Sequence, residues 1–144
     1  MTGFLCVFSF SALAQENQEK IKASMLYYLC EYIEWPADKS ETNTMNFGLL
    51  GTDVDFYNEL KLIAESKKKL HGKQLNIQQL TENNIPESIH VLCLGEAYYG
   101  QAERIFEFCK SNSVLFVTDE FENQMFTVIN FLFNKQDNAI KFSG

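Results

Sequence analysis

Residues 89–94 read Ile-His-Val-Leu-Cys-Leu, a nearly unbroken apolar run that Gly95 ends. Such a run, without polar alternation, is the pattern of a strand covered on both faces. It implies a parallel sheet with helices packed on either side. Downstream, Gln101–Lys110 sets Ala102, Ile105, Phe106 and Cys109 at helical spacing, and Val114–Val117 (VLFV) is another buried-type strand. Upstream, Met45–Leu50 (MNFGLL) reads as a short strand and Gly51-Thr52-Asp53 as a turn and helix cap. Val54–Ser66 follows as an amphipathic helix with Phe56, Leu60 and Ile63 inward, stopping near Gly72. Gln74–Gln78 alternates, as a strand near a sheet edge does. Thr81–Ser88, holding Pro86, is a polar link. Phe126–Phe133 and Ala139–Phe142 resemble two closing strands around the turn Asn134–Asn138. The expectation is a single α/β domain, with a mostly parallel central sheet of about five to six strands flanked by helices.

Further upstream lies Ile21–Pro36, IKASMLYYLCEYIEWP. Gln15–Ile33 reads as a helix with Ile21, Met25, Leu29 and Ile33 on its apolar face, beside Leu26, Cys30 and Tyr32. Pro36 ends it, because the residue before a proline is pushed out of the α region. Residues 37–44 form a polar loop. Residues 1–14, MTGFLCVFSFSALA, join an apolar stretch to small residues, the pattern of an export signal cleaved before Gln15. That stretch is too short to span a bilayer. It lacks a basic start, and the chain stops directly behind a strand-like run, so residues 15–144 read as a domain truncated at its C-terminus.

The 144 residues are 46% hydrophobic with 13 Phe, enough for a packed aromatic core. The net charge of −7 repels phosphate backbones and argues against nucleic acid as a partner. The one basic run, Lys67-Lys68-Lys69 with Lys73, reads as a solvated helix end. Of the four cysteines, Cys6 would leave with the leader. Cys30 sits on the helical stripe as a small hydrophobe. A Cys93–Cys109 disulfide would suit an oxidising compartment, provided the geometry allows it. No CxxC or His/Cys cluster points to zinc, and no metal or cofactor is expected.

Open α/β sheets bind ligands at the turns behind their strands. Here those turns carry Asp53, Glu96, Asp119 and Glu120, which would serve acid–base work or a hard cation if they converged. Ordinary turn and cap residues are the competing reading, since neither GxGxxG nor GxxxxGK[ST] occurs. His71 falls in the Lys-rich helix end and is expected in solvent. His90 opens a strand and is expected to be hydrogen-bonded. Neither has a sequence neighbour that would build a triad. Arg104 is the single arginine, and nothing in the chain asks for an enzyme. The remaining concentrations are aromatic: Tyr27, Tyr28, Tyr32 and Trp35, then Tyr98-Tyr99. Such side chains either cover a sheet or anchor an interface.

Lys22, Tyr27, Tyr32, Trp35 and Pro36 together resemble the first helix of the YfiR-like family of exported bacterial regulators. That helix carries an early lysine, an aromatic-rich middle and a Tyr/Phe-x-x-Trp-Pro end. The likeness continues through Phe47–Gly51, His71-Gly72-Lys73, Ile89–Leu94 and Val114–Asp119, and covers about residues 20–142. It departs at Asn123–Met125, where the family usually has a glycine pair, and behind Lys141-Phe142, where the family carries a closing helix. The resemblance implies a periplasmic, non-catalytic protein. It would bind the sensor domain of a membrane diguanylate cyclase, hold it inactive, and so lower cyclic di-GMP and biofilm formation. Lys22, Tyr27, Tyr28, Tyr98 and Tyr99 are then the expected partner-binding residues, and Tyr32, Trp35 and Pro36 the structural motif. The alternative is a small-ligand sensor domain at the front of a sensor kinase, using Asp53, Glu96 and Asp119. A homodimer is compatible with either.

Overall fold

The computed structural model describes residues 18–66, 68–119, 129–134 and 139–143, the last two stretches as backbone strands. The export-signal reading of residues 1–14, and the readings of Lys67, Glu120 and Asn123–Met125, lie outside the described residues.

Helix α1 spans 18–31. The chain continues through α2 (Ala37–Ser40), β1 (Thr44–Leu50), α3 (Val54–Glu65), β2 (Lys69–Leu70), β3 (Lys73–Gln79) and β4 (Val91–Leu94). A 3-10 helix (Glu96–Gln101) runs into α4 (Ala102–Ser111), followed by β5 (Leu115–Asp119), β6 (Ile129–Asn134) and β7 (Ala139–Ser143). The strands form one sheet in the order β2-β3-β1-β4-β5-β6-β7. The pairs β3–β1, β1–β4, β4–β5 and β5–β6 are parallel, and only β2 and β7, at the two ends, pair antiparallel. The sheet is thus mostly parallel, as the apolar runs required.

Two elements depart from the expectation. Residues 37–40 form a short helix, because Pro36 starts it as well as ending α1. The Lys39 and Ser40 amides donate to the Pro36 carbonyl, both at 2.9 Å. The seventh strand, β2, arises inside the lysine run. It returns into β3 through His71 (φ 51°) and Gly72 (φ 75°). Positive φ at both central residues of a two-residue loop is the turn whose twist matches a hairpin.

Successive residues on each strand point to opposite faces, which divides the interior in two. Met45, Phe47, Leu49, Leu75, Ile77, Val91, Cys93, Leu115 and Val117 pack beneath α1 and α3. Leu50, Leu92, Leu94 and Phe116 pack beneath α4 with Ala102, Ile105 and Cys109. This layering corrects the expected disulfide. Cys93 belongs to the α1/α3 side and Cys109 to the α4 side, with the sheet between them; Cys30, Cys93 and Cys109 are all free and buried. Burial pushes the Cys30 and Cys109 thiols up to about 12, and Cys93 upward as well.

Helix α1 is also rotated from its expected orientation. Its buried residues are Glu19, Lys22, Ala23, Leu26, Tyr27 and Cys30. Met25, Leu29 and Ile33 pack only at the margin, and Ile21 is exposed.

Candidate functional site

The sheet's topology switches between β1 and β4: from β1 the chain moves to β3 on one side and later returns to β4 on the other. A crevice at that point is the usual ligand site of an open α/β sheet. Here the chain fills it. The Gly95 amide donates to the Leu50 carbonyl at 2.8 Å. A Cβ on Gly95 would stand 1.7 Å from the Gly51 carbonyl oxygen, and one on Gly51 would stand 2.4 Å from the Tyr98 ring. Only glycines permit so close an approach.

The acidic turn residues consequently serve different ends. Asp53 caps α3, its Oδ1 accepting from the Asp55 amide at 2.8 Å. Glu96 is exposed in the first turn of the 3-10 helix. Asp119 turns toward α1, where its Oδ2 accepts from Lys22 Nζ at 2.5 Å, and Glu19 Oε1 takes the same ammonium at 3.1 Å. The Tyr99 hydroxyl donates to the Asp119 carbonyl and accepts from the Asp119 amide at 3.1 Å. Asp119 Oδ1 is buried without a hydrogen bond. Burial pushes the Glu19 carboxyl up; Lys22 opposes this, while the charges of Asp119 and Asp53 add to it. Burial works against the Lys22 charge too, but Asp119 and Glu19 outweigh it and hold its pKa above the ordinary lysine value. Lys22 therefore stays protonated and offers no free amine for nucleophilic or base chemistry. Among the described residues no three His, Cys, Asp or Glu side chains are placed to hold a metal.

Sequence reasoning missed Glu19. Its spacing of three from Lys22 on one helix was the available signal for an ion pair. It also placed Lys22 and Tyr27 on a binding surface, which the structure corrects. Lys22 is held inward by its two carboxylates, and Tyr27 is buried with its hydroxyl donating to the Lys69 carbonyl at 2.9 Å. Tyr98 and Tyr99 are half-buried, one against Gly51 and the other on Asp119.

The remaining motif residues meet at the opposite end of α1. The Trp35 indole donates to the His90 carbonyl at 3.0 Å. Its ring stands edge-on to both His71 and His90, at 5.9 and 5.7 Å between centroids. His71 lies in the hairpin turn rather than a helix end, and its Nε2–H donates to the Cys30 carbonyl of α1 at 2.9 Å. That carbonyl belongs to the last helical turn and also accepts from the Ile33 amide at 3.3 Å. Trp35-Pro36 and His71-Gly72 thus form one latch between α1, the β2–β3 hairpin and β4.

What α1 leaves outward is aromatic and aliphatic. Tyr32 is 86% exposed, Tyr28 54% and Ile21 44%. Tyr32, grouped above with Trp35 and Pro36 as structural, projects into solvent instead. Lys68 lies over the Tyr27 and Tyr28 rings at 5.6 and 6.0 Å, a cation–π contact at the rim of this face. Beside α4, an open cleft of about 470 Å³ is lined by Glu82, Asn83, Ile85, Arg104, Ile105 and Phe108. Arg104 reaches Gln101 Oε1 at 2.7 Å and Glu82 at 3.6 Å.

Among the described residues no helix is long and apolar enough to cross a membrane. Comparison with curated proteins finds no match. The sequence profile of the YfiR/HmsC-like family matches residues 19–143, from the ion-paired Glu19 through the last strand. The chain belongs to the YfiR/HmsC-like family.

Proposed function

We propose that the protein is a non-catalytic periplasmic module that binds and restrains a membrane signalling protein, a diguanylate cyclase in the first instance, and so lowers cyclic di-GMP signalling. The observation that carries this reading is the outer face of α1. Ile21 and Tyr28 on α1, and Tyr32 directly behind it, stand exposed on an element whose inner face is pinned by Lys22, Tyr27 and the Trp35 latch. Rigid aromatic side chains lose little entropy on docking and carry large apolar area with a polar tip. Restraint follows if this face binds the inactive conformation of the partner more tightly than the active one. The test is capture from bacterial envelope membranes with the purified chain as bait and mass spectrometry as readout. Recovery of a membrane cyclase, reduced about tenfold or more by Tyr28→Ala with Tyr32→Ala, is the expected result. A folded bait that recovers no membrane signalling protein overturns the reading.

A second reading, an extracytoplasmic small-ligand sensor domain, draws on the Arg104 cleft. Ile85, Ile105 and Phe108 would take an apolar group there, and Arg104, shared with Glu82 and Gln101, a polar one. The turns behind β1 and β4 do not support it, because Tyr98 and the two glycines fill them, and Asp119 behind β5 is held by Lys22.

A further inference from the structure

Helix α2 is attached to the rest of the protein by polar contacts. Of its residues, Ala37–Ser40, only Lys39 is buried, so no apolar side chain anchors it. Hydrogen bonds hold it instead. The His90 Nε2–H donates to the Lys39 carbonyl at 2.9 Å, Lys39 Nζ donates to the Glu87 carbonyl, and Lys73 Nζ donates to the Ser40 carbonyl. Thr42 Oγ1, just behind the helix, stands 3.1 Å from the same His90 nitrogen. In front of the helix, Trp35 gives its indole N–H to the His90 carbonyl and sets its ring edge-on to the His90 ring. One imidazole thus touches both ends of the segment 35–42.

That imidazole fits only when neutral. Its Nδ1 accepts from the Asn46 amide at 3.0 Å, a backbone donor fixed in β1. A proton on Nδ1 would set N–H against N–H, and the rigid ring cannot turn Nδ1 away without taking Nε2 off the Lys39 carbonyl. The new charge would meet no carboxylate among the described residues. The charges that act on the ring are Lys39 of α2 and Lys73 of β3, both cations. Asp38 and Glu87 act on Lys39 instead. His71, across the Trp35 ring, would add a further positive charge in acid, and α4 brings only the neutral Cys109 thiol to this neighbourhood. The sheet itself does not hang on the ring. The His90 amide donates to the Asn46 carbonyl at 2.8 Å, and β1 pairs with β4 from Phe47 to Leu50 through backbone alone. We propose that residues 36–42 are a strap that acid releases: protonation of His90 expels its ring from Asn46, frees α2 and loosens Trp35 while the sheet stays folded. The device needs no partner on α1 and is independent of the docking reading.

The chain holds one tryptophan and two histidines, so each group reports on itself. Trp35 emission and its quenching by acrylamide are followed from about pH 8 to 5, with far-UV circular dichroism for the fold and ring-proton NMR for the histidines. The expected result is one transition below about pH 6.5, in which the quenching constant rises about twofold or more at constant circular dichroism, with the midpoint of His90. His71→Gln keeps the transition and His90→Gln removes it. If His90→Gln does not fold, the midpoints measured on the unaltered chain decide. A Trp35 signal that stays constant to about pH 5, a change that accompanies loss of the helix signal, one that follows the His71 midpoint, or one that survives His90→Gln overturns the proposal.

Discussion

His90 shows how one side chain ties several elements together. Its Nδ1 accepts from the Asn46 amide at 3.0 Å, and its Nε2–H donates to the Lys39 carbonyl at 2.9 Å. Its carbonyl takes both the Trp35 indole and the Leu115 amide. These partners fix a neutral ring with the proton on Nε2, and a second proton would meet the Asn46 N–H. Burial accordingly holds the His90 pKa below the ordinary 6.5. Below that pH the unfolded chain binds a proton that the folded one resists, so this stability is complete above about pH 6.5 and is lost as pH falls through the folded value. The urea midpoint is expected to hold steady above neutrality and to drop as pH falls below about 6.5. In His90→Gln, which is less stable at pH 7, that drop should largely vanish. An equally steep drop in the variant would assign it to other groups. The sequence marked His90 as hydrogen-bonded and Trp35 as a motif residue. That they share a carbonyl was invisible, because 55 residues separate them.

At the scale of elements, periodicity located the helices but set α1 on the wrong face. Residues 25–30, Met-Leu-Tyr-Tyr-Leu-Cys, are apolar all round, so the stripe alone left the rotation of the helix undecided. The decision fell to Glu19 and Lys22, which enter the interior because each neutralises the other and Asp119 completes the cluster. A hydrophobicity pattern counts both as surface residues. Gly95 was legible as the break behind β4 and Gly72 only as a helix stop, and the tolerance of neither was legible. Gly72, with φ 75°, has nothing within 4 Å of a Cβ, so Gly72→Ala meets only backbone strain and should cost about 1 kcal/mol. Gly95→Ala places a methyl against the Gly51 carbonyl and should cost at least about 3 kcal/mol. Urea denaturation of the two variants checks the order, and equal costs would refute the close packing of the β1 and β4 turns.

Across the whole molecule, Lys22 and Asp119 join the start of α1 to the end of β5 over 97 residues of sequence. Removing the cation with Lys22→Met strands Glu19 in the interior. The expected cost is about 2–3 kcal/mol, less than for a fully buried pair because Asp119 is partly solvated. Adding Glu19→Gln should recover part of it, and thermal melts of the single and double variants provide the check. The sequence by itself determined the alternation of strands and helices, the parallel character of the sheet and the family, because apolar runs, breakers and motif spacings are local. The tertiary structure alone decided three further things: that Tyr98 fills the switch-point crevice, that Cys93 and Cys109 lie on opposite sides of the sheet, and that Tyr28 and Tyr32 rather than Lys22 and Tyr27 face solvent. Each depends on which distant residues arrive beside a side chain, and burial free energy is set by those neighbours rather than by the residue's own type.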